Sequence, residues 1–485
     1  MALKTGEQYK ESIRKMRPNV YKWDRLIEDL TTDPVTRAHI DSVAHSYDMC
    51  FDEKDSHIYT TKSHLTGEIV HRWTTLPQTA EDQMHNARMK RHQYRHSGTC
   101  KGATCAGWTG MTVLWAVTQE MDKDLGTNYH ERLKNYFKYV EDNGLALAGA
   151  ITDAKGDRSL KPSQQKNKDS HVHIKEVRED GIVIRGYKTQ ICGIAGANEI
   201  IVVPGGGYGE SEKDFCLAVA VPRDIEGLTC IITRKPSDTR EEEEGWDAPK
   251  VGTITQAYLI FDDVFVPNDR VFMAGEAKYS GKIIGYFAAI YRAAIGACVA
   301  GQGDVMIGAA INMARANGLS KKPFQDKLNQ MAINNEINYG TGLGAMLAGS
   351  QHESGLWIPD ALLAHVNKTQ VAKLPYETKI LTQDISGGIA ETGCIPSYKD
   401  FQSPIYGEDL LKALEAGTDG ESRIRAARLA EWLTVGAGIP GCMHGGGSPD
   451  GAKMVVKALT KWEEYAAHAK RIAGITGVIE EPTKK

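Results

Sequence analysis

The hydrophobic period of the chain changes twice, and those changes restrict the fold more than any single motif does. Up to about residue 145 apolar residues recur at three- and four-residue spacing. ERLKNYFKYVEDNGLALAG puts Leu133, Tyr136, Phe137 and Val140 on one helical face and offers Gly144 as a stop. From about 150 the period drops to two. HVHIKEVREDGIVIRGYK alternates Val172, Ile174 and, after a break, Val177 with polar residues. It then turns at Asp180-Gly181 into Ile182-Val183-Ile184, the dipeptide signal of a tight hairpin. EIIVVP (199–204), FCLAVAVP (215–222), LTCIITR (228–234) and AYLIFDDVFVP (257–267) read as further strands. Pro204, Pro222 and Pro267 fall at their ends, where a missing N–H does least harm. After about 276 the helical period returns. GACVAGQGDVMIGAAINMARANG (296–318) is apolar around most of its circumference, as a buried bundle helix is, and Leu328, Met331, Tyr339, Leu343 and Met346 continue the spacing. The expected organisation is a helical domain over 1–145, a mostly antiparallel β-domain over 146–275 and a helical bundle over 276–485. The acidic run REEEEGWD (240–247) reads as a solvated loop between strands.

Composition excludes several classes of function. With 485 residues, 41% hydrophobic and 25% charged, the chain is ordinary globular material, which rules out disordered and collagen-like readings. Fifty-eight Lys+Arg against 62 Asp+Glu give −4, without the basic excess of a nucleic-acid binder. No run of about 18 apolar residues is present, so no membrane span is expected. The opening MALKTGEQYKESIRKMRPNVYKWDRLIEDL lacks an apolar core of a secretory signal. Nine cysteines, at 50, 100, 105, 192, 216, 230, 298, 394 and 442, argue by their odd number against a disulfide framework. Reduced thiols in the cytoplasm are expected, which leaves them open to metal binding or catalysis.

Two glycine strings invite a nucleotide-binding reading. GAGIPG (436–441) fits G-x-G-x-x-G but follows the helical RLAEWLTV, whereas a dinucleotide fingerprint must follow a strand and open a helix. GGGYGE (205–210) follows a strand with no helical pattern after it, and reads as a loop. Cys100 and Cys105 enclose four residues, a spacing that suits soft ligands for zinc or an iron–sulfur cluster and equally two buried reduced thiols. Cys298 reads as a small core residue at a helix start. In ITDAKGDRS (151–159), Lys155, Arg158 and the amides around Gly156 suit an anion or simply an exposed turn. In MHGGGSPDG (443–451) three glycines permit close backbone approach to a ligand, and His444 is an acid–base candidate near neutral pH.

Taken together, ITDAKGDRS, DGIVIRGYKTQICGIAGANEIIVVP, FDDVFVPNDRVFM, ISGGIAETGCIPSYKDF and HGGGSPDG resemble the 4-hydroxybutyryl-CoA dehydratase / 4-hydroxyphenylacetate 3-hydroxylase flavoprotein family, in the same order from about residue 5 to 475. The resemblance implies an α+β multi-domain, acyl-CoA dehydrogenase-like fold: N-terminal helical domain, middle antiparallel β-barrel, C-terminal four-helix bundle, assembled as a homotetramer. Its hydroxylase branch uses reduced flavin and dioxygen. Its dehydratase branch holds FAD beside a [4Fe–4S] cluster on three Cys and one His, and removes water from an acyl-CoA by radical chemistry. Cys100, Cys105 and Cys298 fall where the dehydratase thiolates fall, the first pair one residue further apart. By position in the family, Lys155, Asp157, Arg158, Thr189 and Gln190 line the flavin, with Gly445, Gly446, Gly447 and Ser448 reaching the same cofactor.

The departures from the family are specific. Tyr291 stands where the dehydratase has its His ligand, seven residues before Cys298. Ile295 and Val299 replace its catalytic Tyr and Lys, Gln256 and Gly441 its carboxylates, and Cys192 a Thr near the flavin. Removing an unactivated β-proton needs a base in reach, and Gln, Ile and Gly are none. The expectation is therefore an FAD and [4Fe–4S] enzyme acting on an acyl-CoA other than 4-hydroxybutyryl-CoA, by dehydration, isomerisation or related lyase chemistry. Tyr291 would be a fourth iron ligand or leave that iron open, and His444, Arg292 and Gln256 would face the substrate. An FADH2-dependent aromatic monooxygenase and a non-catalytic binding homologue are the alternatives. Brown colour with iron and sulfide, yellow alone, or no colour distinguishes the three.

Overall fold

The computed structural model describes residues 3–233, 255–392, 395–436 and 444–478. The acidic run 240–247, Gly441 and most of the GAGIPG string lie outside the described residues. The twelve-residue strand Gly181–Cys192 is the backbone of the middle region. It pairs antiparallel with His173–Val177 through the Asp180-Gly181 turn, and on its other side with Gln256–Pro267. Leu228–Ile232 comes next, followed by Val20–Lys22 and Arg25–Leu26. A second sheet runs in the order Val271–Ala274, Leu217–Pro222, Glu199–Val202, Leu147–Ala150.

The molecule is α+β and multi-domain in composition, but the expected antiparallel β-barrel is not what forms. Two pairings are parallel: Val20–Lys22 with Leu228–Ile232, and Leu147–Ala150 with Glu199–Val202. Closure requires every strand to have two partners. Here His173–Val177 is an open edge with Val177 exposed, and no strand of one mixed sheet pairs with a strand of the other among the described residues; Asp153, past the end of Leu147–Ala150, makes an isolated bridge to Lys188. Two-residue alternation marks a half-buried strand but carries nothing about a partner some 200 residues away, which is why the N-terminal strands escaped the sequence pattern.

Helices cover the second sheet, whose central strands are buried on both faces. Tyr129–Asn143 buries Leu133, Tyr136, Phe137 and Val140 and ends at Gly144 in the left-handed region. The helix carrying the small-residue stretch starts at Ala277, well before the expected 296, and runs 40 residues to Ala316. It is apolar and long enough to cross a membrane by length and composition, yet 72% of its apolar window is buried within the protein. Cys298 therefore sits in its middle. Arg91 and Arg95 of the helix Ala80–Ser97 reach Asp304 of the long helix at 2.8 and 2.6 Å. Gln302 Nε2 donates to Gly98 O at 2.9 Å, which holds the end of Ala80–Ser97 beside Cys298.

Candidate functional site

Four thiols from three distant segments meet where that helix end, the long helix and the strand Gly181–Cys192 come together. Tyr94, Cys100 and Cys298 form one buried cluster, and Cys192 packs against it. Cys105 is the residue before the helix Ala106–Leu125, and its Sγ donates to Gly102 O at 3.5 Å. The two thiols split: Cys105 is lowered by its neighbour Cys100, and Cys100 is pushed well up by Cys105 and by burial. Burial raises Cys298 and Cys192 to about 11. Lys90, buried and one turn before Tyr94 on the same helix, favours thiolate at both Cys105 and Cys298.

Two glycines make this convergence possible. Gly102 and Gly193 both have φ of +77°. A Cβ on Gly102 would lie 2.6 Å from the Cys192 carbonyl carbon, and one on Gly193 would lie 2.4 Å from Ala103 N. The loop carrying Cys100 and Cys105 thus lies backbone against backbone on the residues that follow Cys192, an approach that only glycine permits. His39 Nε2 to Lys101 O (2.6 Å) and Leu147 N–H to Ala103 O (2.8 Å) secure the loop from outside. Gln256 Nε2 donates to Cys192 Sγ at 3.4 Å from the neighbouring strand.

Tyr291 links the thiols to the glycine string. Its phenol is pushed well up by burial first and then by all four sulfurs. Its ring stacks on Phe287 at 5.4 Å between centroids, and a Cβ on Gly446 would sit 3.0 Å from it. Arg292 Nε donates to Gly446 O (2.9 Å), and Lys368 Nζ donates to Gly445 O (2.7 Å). Arg292 thereby helps to fix the string, with Gly447 against its guanidinium. Ser448 caps the helix Pro449–Leu459, accepting from Gly451 N–H, and His444 stands exposed at the start of the turn.

On the sheet side, Thr189 is buried and its Oγ1 has no hydrogen-bond partner among the described residues, while the exposed Gln190 beside it holds φ at +58°. Unmatched buried hydroxyls and non-glycine residues at positive φ cluster at ligand sites. Lys155 (φ +69°), Asp157 and Arg158 lie on an exposed loop. That loop is anchored by the buried ion pair Asp153–Lys188 (2.7 Å) and by Gln165, which bonds Asp157 at both its N–H and its C=O. Asp157 Oδ1 is engaged by Ser159 within the turn.

The structure brings together Cys100, Cys105, Cys298 and Tyr291, with Gln256 next to them through Cys192. Sequence reasoning passed over Tyr94, Lys90 and Lys368. The first two had a readable signal, polar groups four residues apart on the helix that ends just before Cys100; Lys368 had none, because its partner Gly445 is 77 residues away. All seven described cysteines are free. Among the described residues no three His, Cys, Asp or Glu side chains close around a single point as the ligands of one metal ion do. The four thiols are soft donors by type.

The chain matches two family models, 4-hydroxyphenylacetate 3-hydroxylase N terminal over residues 5–273 and C terminal over residues 280–474. It is 36% identical to 4-hydroxybutyryl-CoA dehydratase/vinylacetyl-CoA-Delta-isomerase of Clostridium aminobutyricum, across 98% of this chain and 100% of that protein. Its structure is similar to that of the oxygen-tolerant archaeal 4-hydroxybutyryl-CoA dehydratase from N. maritimus, with TM-score 0.94 and 35% identity over 100% of this chain and 97% of the other. It also shares its fold with the oxygenase component of 4-hydroxyphenylacetate 3-monooxygenase complexed with FAD and 4-hydroxyphenylacetate. There the TM-score is 0.81 at 21% identity, over 97% and 98% of the two chains.

Proposed function

The chain belongs to the 4-hydroxyphenylacetate 3-hydroxylase family, on its 4-hydroxybutyryl-CoA dehydratase side, and from that premise we propose that it is an FAD- and [4Fe–4S]-containing enzyme acting on an acyl-CoA. The reaction is dehydration, isomerisation or related lyase chemistry on a substrate other than 4-hydroxybutyryl-CoA. The observation that carries this reading is the meeting of the Cys100, Cys105 and Cys298 thiols beside Tyr291 and the glycine string. A hydroxylase using only flavin and dioxygen has no need of them.

The residues present fit both cofactors. Thr189 Oγ1, Gln190, Lys155 and Arg158 offer a hydroxyl and cations to a flavin nucleotide, and the Gly445–Ser448 turn, from this chain or a neighbouring subunit, offers close backbone. Cys100, Cys105 and Cys298 would hold three irons, and Tyr291 and Cys192 both qualify by position for the fourth. Bound here, a flavin supplies one- and two-electron transfer and an iron–sulfur cluster a second redox centre. The chain itself does the rest. Lys368 and Arg292 fix the turn, so that its backbone is ordered before substrate arrives. The Gln256 amide donates and has no basic atom to accept the substrate's proton. His444, exposed on the turn, would be the group that moves that proton. Reduced thiols and such a cluster belong to a reducing compartment, the cytoplasm.

The test is anaerobic purification with analysis of iron, sulfide and flavin, followed by mass spectrometry of candidate acyl-CoAs for loss of water or for isomerisation. Iron, sulfide and flavin together with turnover of an acyl-CoA are expected. A yellow, iron-free protein that hydroxylates a phenol with FADH2 overturns this reading in favour of the monooxygenase, and a colourless one in favour of a binding homologue.

A further inference from the structure

We propose that Cys192 is the fourth cluster ligand, making the site all-cysteine in place of three cysteines and a histidine. The inference rests on the cluster reading above and deepens it. Cys192 closes the strand Gly181–Cys192, and its sulfur packs on the Tyr94–Cys100–Cys298 cluster. The Gly102–Gly193 contact fixes its distance from the other ligands: the residue after Cys192 and the residue two past Cys100 touch through their backbones, with no side chain between them. Such a lock holds Cys192 to the loop bearing two proposed ligands as firmly as a turn holds neighbours in sequence.

Tyr291 is the competing candidate, and its surroundings argue for another duty. Phe287 on one side and Gly446 on the other fix the ring, so the phenol serves as the wall on which the glycine string packs. A thiolate is also the softer donor and the ordinary ligand of such clusters. The Gln256 amide bond to Cys192 Sγ, at 3.4 Å, is the kind of second contact that orients a ligating sulfur and tunes its metal. Gln256 thus has a part that a carboxylate at the same place would play badly, since it would face a thiolate with like charge. With four cysteines on four irons, no iron is left open for a substrate oxygen. The cluster then serves to pass electrons, and substrate binding falls to the flavin side.

Anaerobic 57Fe-labelled protein tests this directly. In the unaltered protein, Mössbauer spectra are expected to show sulfur-only coordination at every iron; one distinct oxygen-ligated site overturns the proposal. Cys192→Ser is expected to lose about one iron in four on mild oxidation, with the EPR signal of a three-iron cluster, while Tyr291→Phe leaves the cluster spectra unchanged. The reverse pattern overturns it. Should Cys192→Ser fail to fold, Gln256→Leu keeps every thiol and is expected to shift the cluster potential to more negative values; an unmoved potential counts against the assignment. Wild-type protein without iron removes the cluster reading itself. An unchanged cluster in Cys192→Ser removes only Cys192 from it.

Discussion

His71 is fully buried with both ring nitrogens engaged: Nε2 accepts from Lys4 N–H at 3.0 Å, and Nδ1 faces Cys50 Sγ at 3.1 Å. Its ring stacks on Trp73 at 4.7 Å. Burial, reinforced by Lys4, lowers its pKa to about 3. The folded state therefore binds fewer protons than the unfolded one between about pH 6.5 and 3, so stability is complete above that window and falls as the pH drops through it. Lowering the pH from 7 to 5 is expected to cost about 2 kcal/mol through this residue. Urea midpoints at the two pH values check it: His71→Gln should be less stable at pH 7 but flatter between them, and an equal slope in both proteins rejects the assignment. Arg292 gives a second outcome at this scale. Arg292→Met leaves Gly446 O without its donor, a loss of about 1–3 kcal/mol. Amide exchange over 445–448 should accelerate in this variant, while exchange in the sheets is unchanged.

Among elements, the contact that matters most is between two loops. Gly193→Ala would drive a Cβ to 2.4 Å from Ala103 N and 2.7 Å from the Gly102 carbonyl carbon, backbone that cannot swing aside. A loss of about 2–4 kcal/mol is expected, with iron retention falling alongside. Gly126→Ala is the control, since Gly126 has φ +69° but open space around it, and should cost only about 1 kcal/mol and leave iron bound. Equal effects from the two substitutions would show that backbone strain alone is at work. The same contact shows what the sequence could express. The Asp180-Gly181 hairpin and the Tyr129–Asn143 helix were legible because turn chemistry and side-chain period are local. The parallel partner of Val20–Lys22, the clasp between Gly102 and Gly193, and the grip of Lys368 on Gly445 depend on residues far apart in the chain. No periodicity records such pairs. The three cysteines proposed as ligands came from family likeness, and Cys192 could be weighed beside them only once the backbone had brought it there.

At the scale of the molecule, apolar surface is unevenly spent. The helix Trp462–Ile472 has no buried residue, and Met454, Trp462, Tyr465, Ile472 and Val478 are 72, 56, 54, 79 and 79% exposed. An eleven-residue helix is marginal alone in water and persists by burying one face. In the homotetramer that the family resemblance implies, a second copy of this chain would cover this face, because a symmetric interface lets one patch serve both subunits. The consequence reaches the site: Gly445–Ser448 run directly into Pro449–Leu459, so docking of the C-terminal helices would add a second hold on the glycine turn that Tyr291 and Arg292 already contact. Light scattering is expected to give a multiple of 53.2 kDa. Trp462→Glu with Ile472→Glu should lower that multiple and, through the turn, weaken flavin retention while the thiol pocket keeps its iron. A wild-type monomer at micromolar concentration overturns the assembly. Dissociation without loss of flavin would show that Lys368 and Arg292 suffice to order the turn.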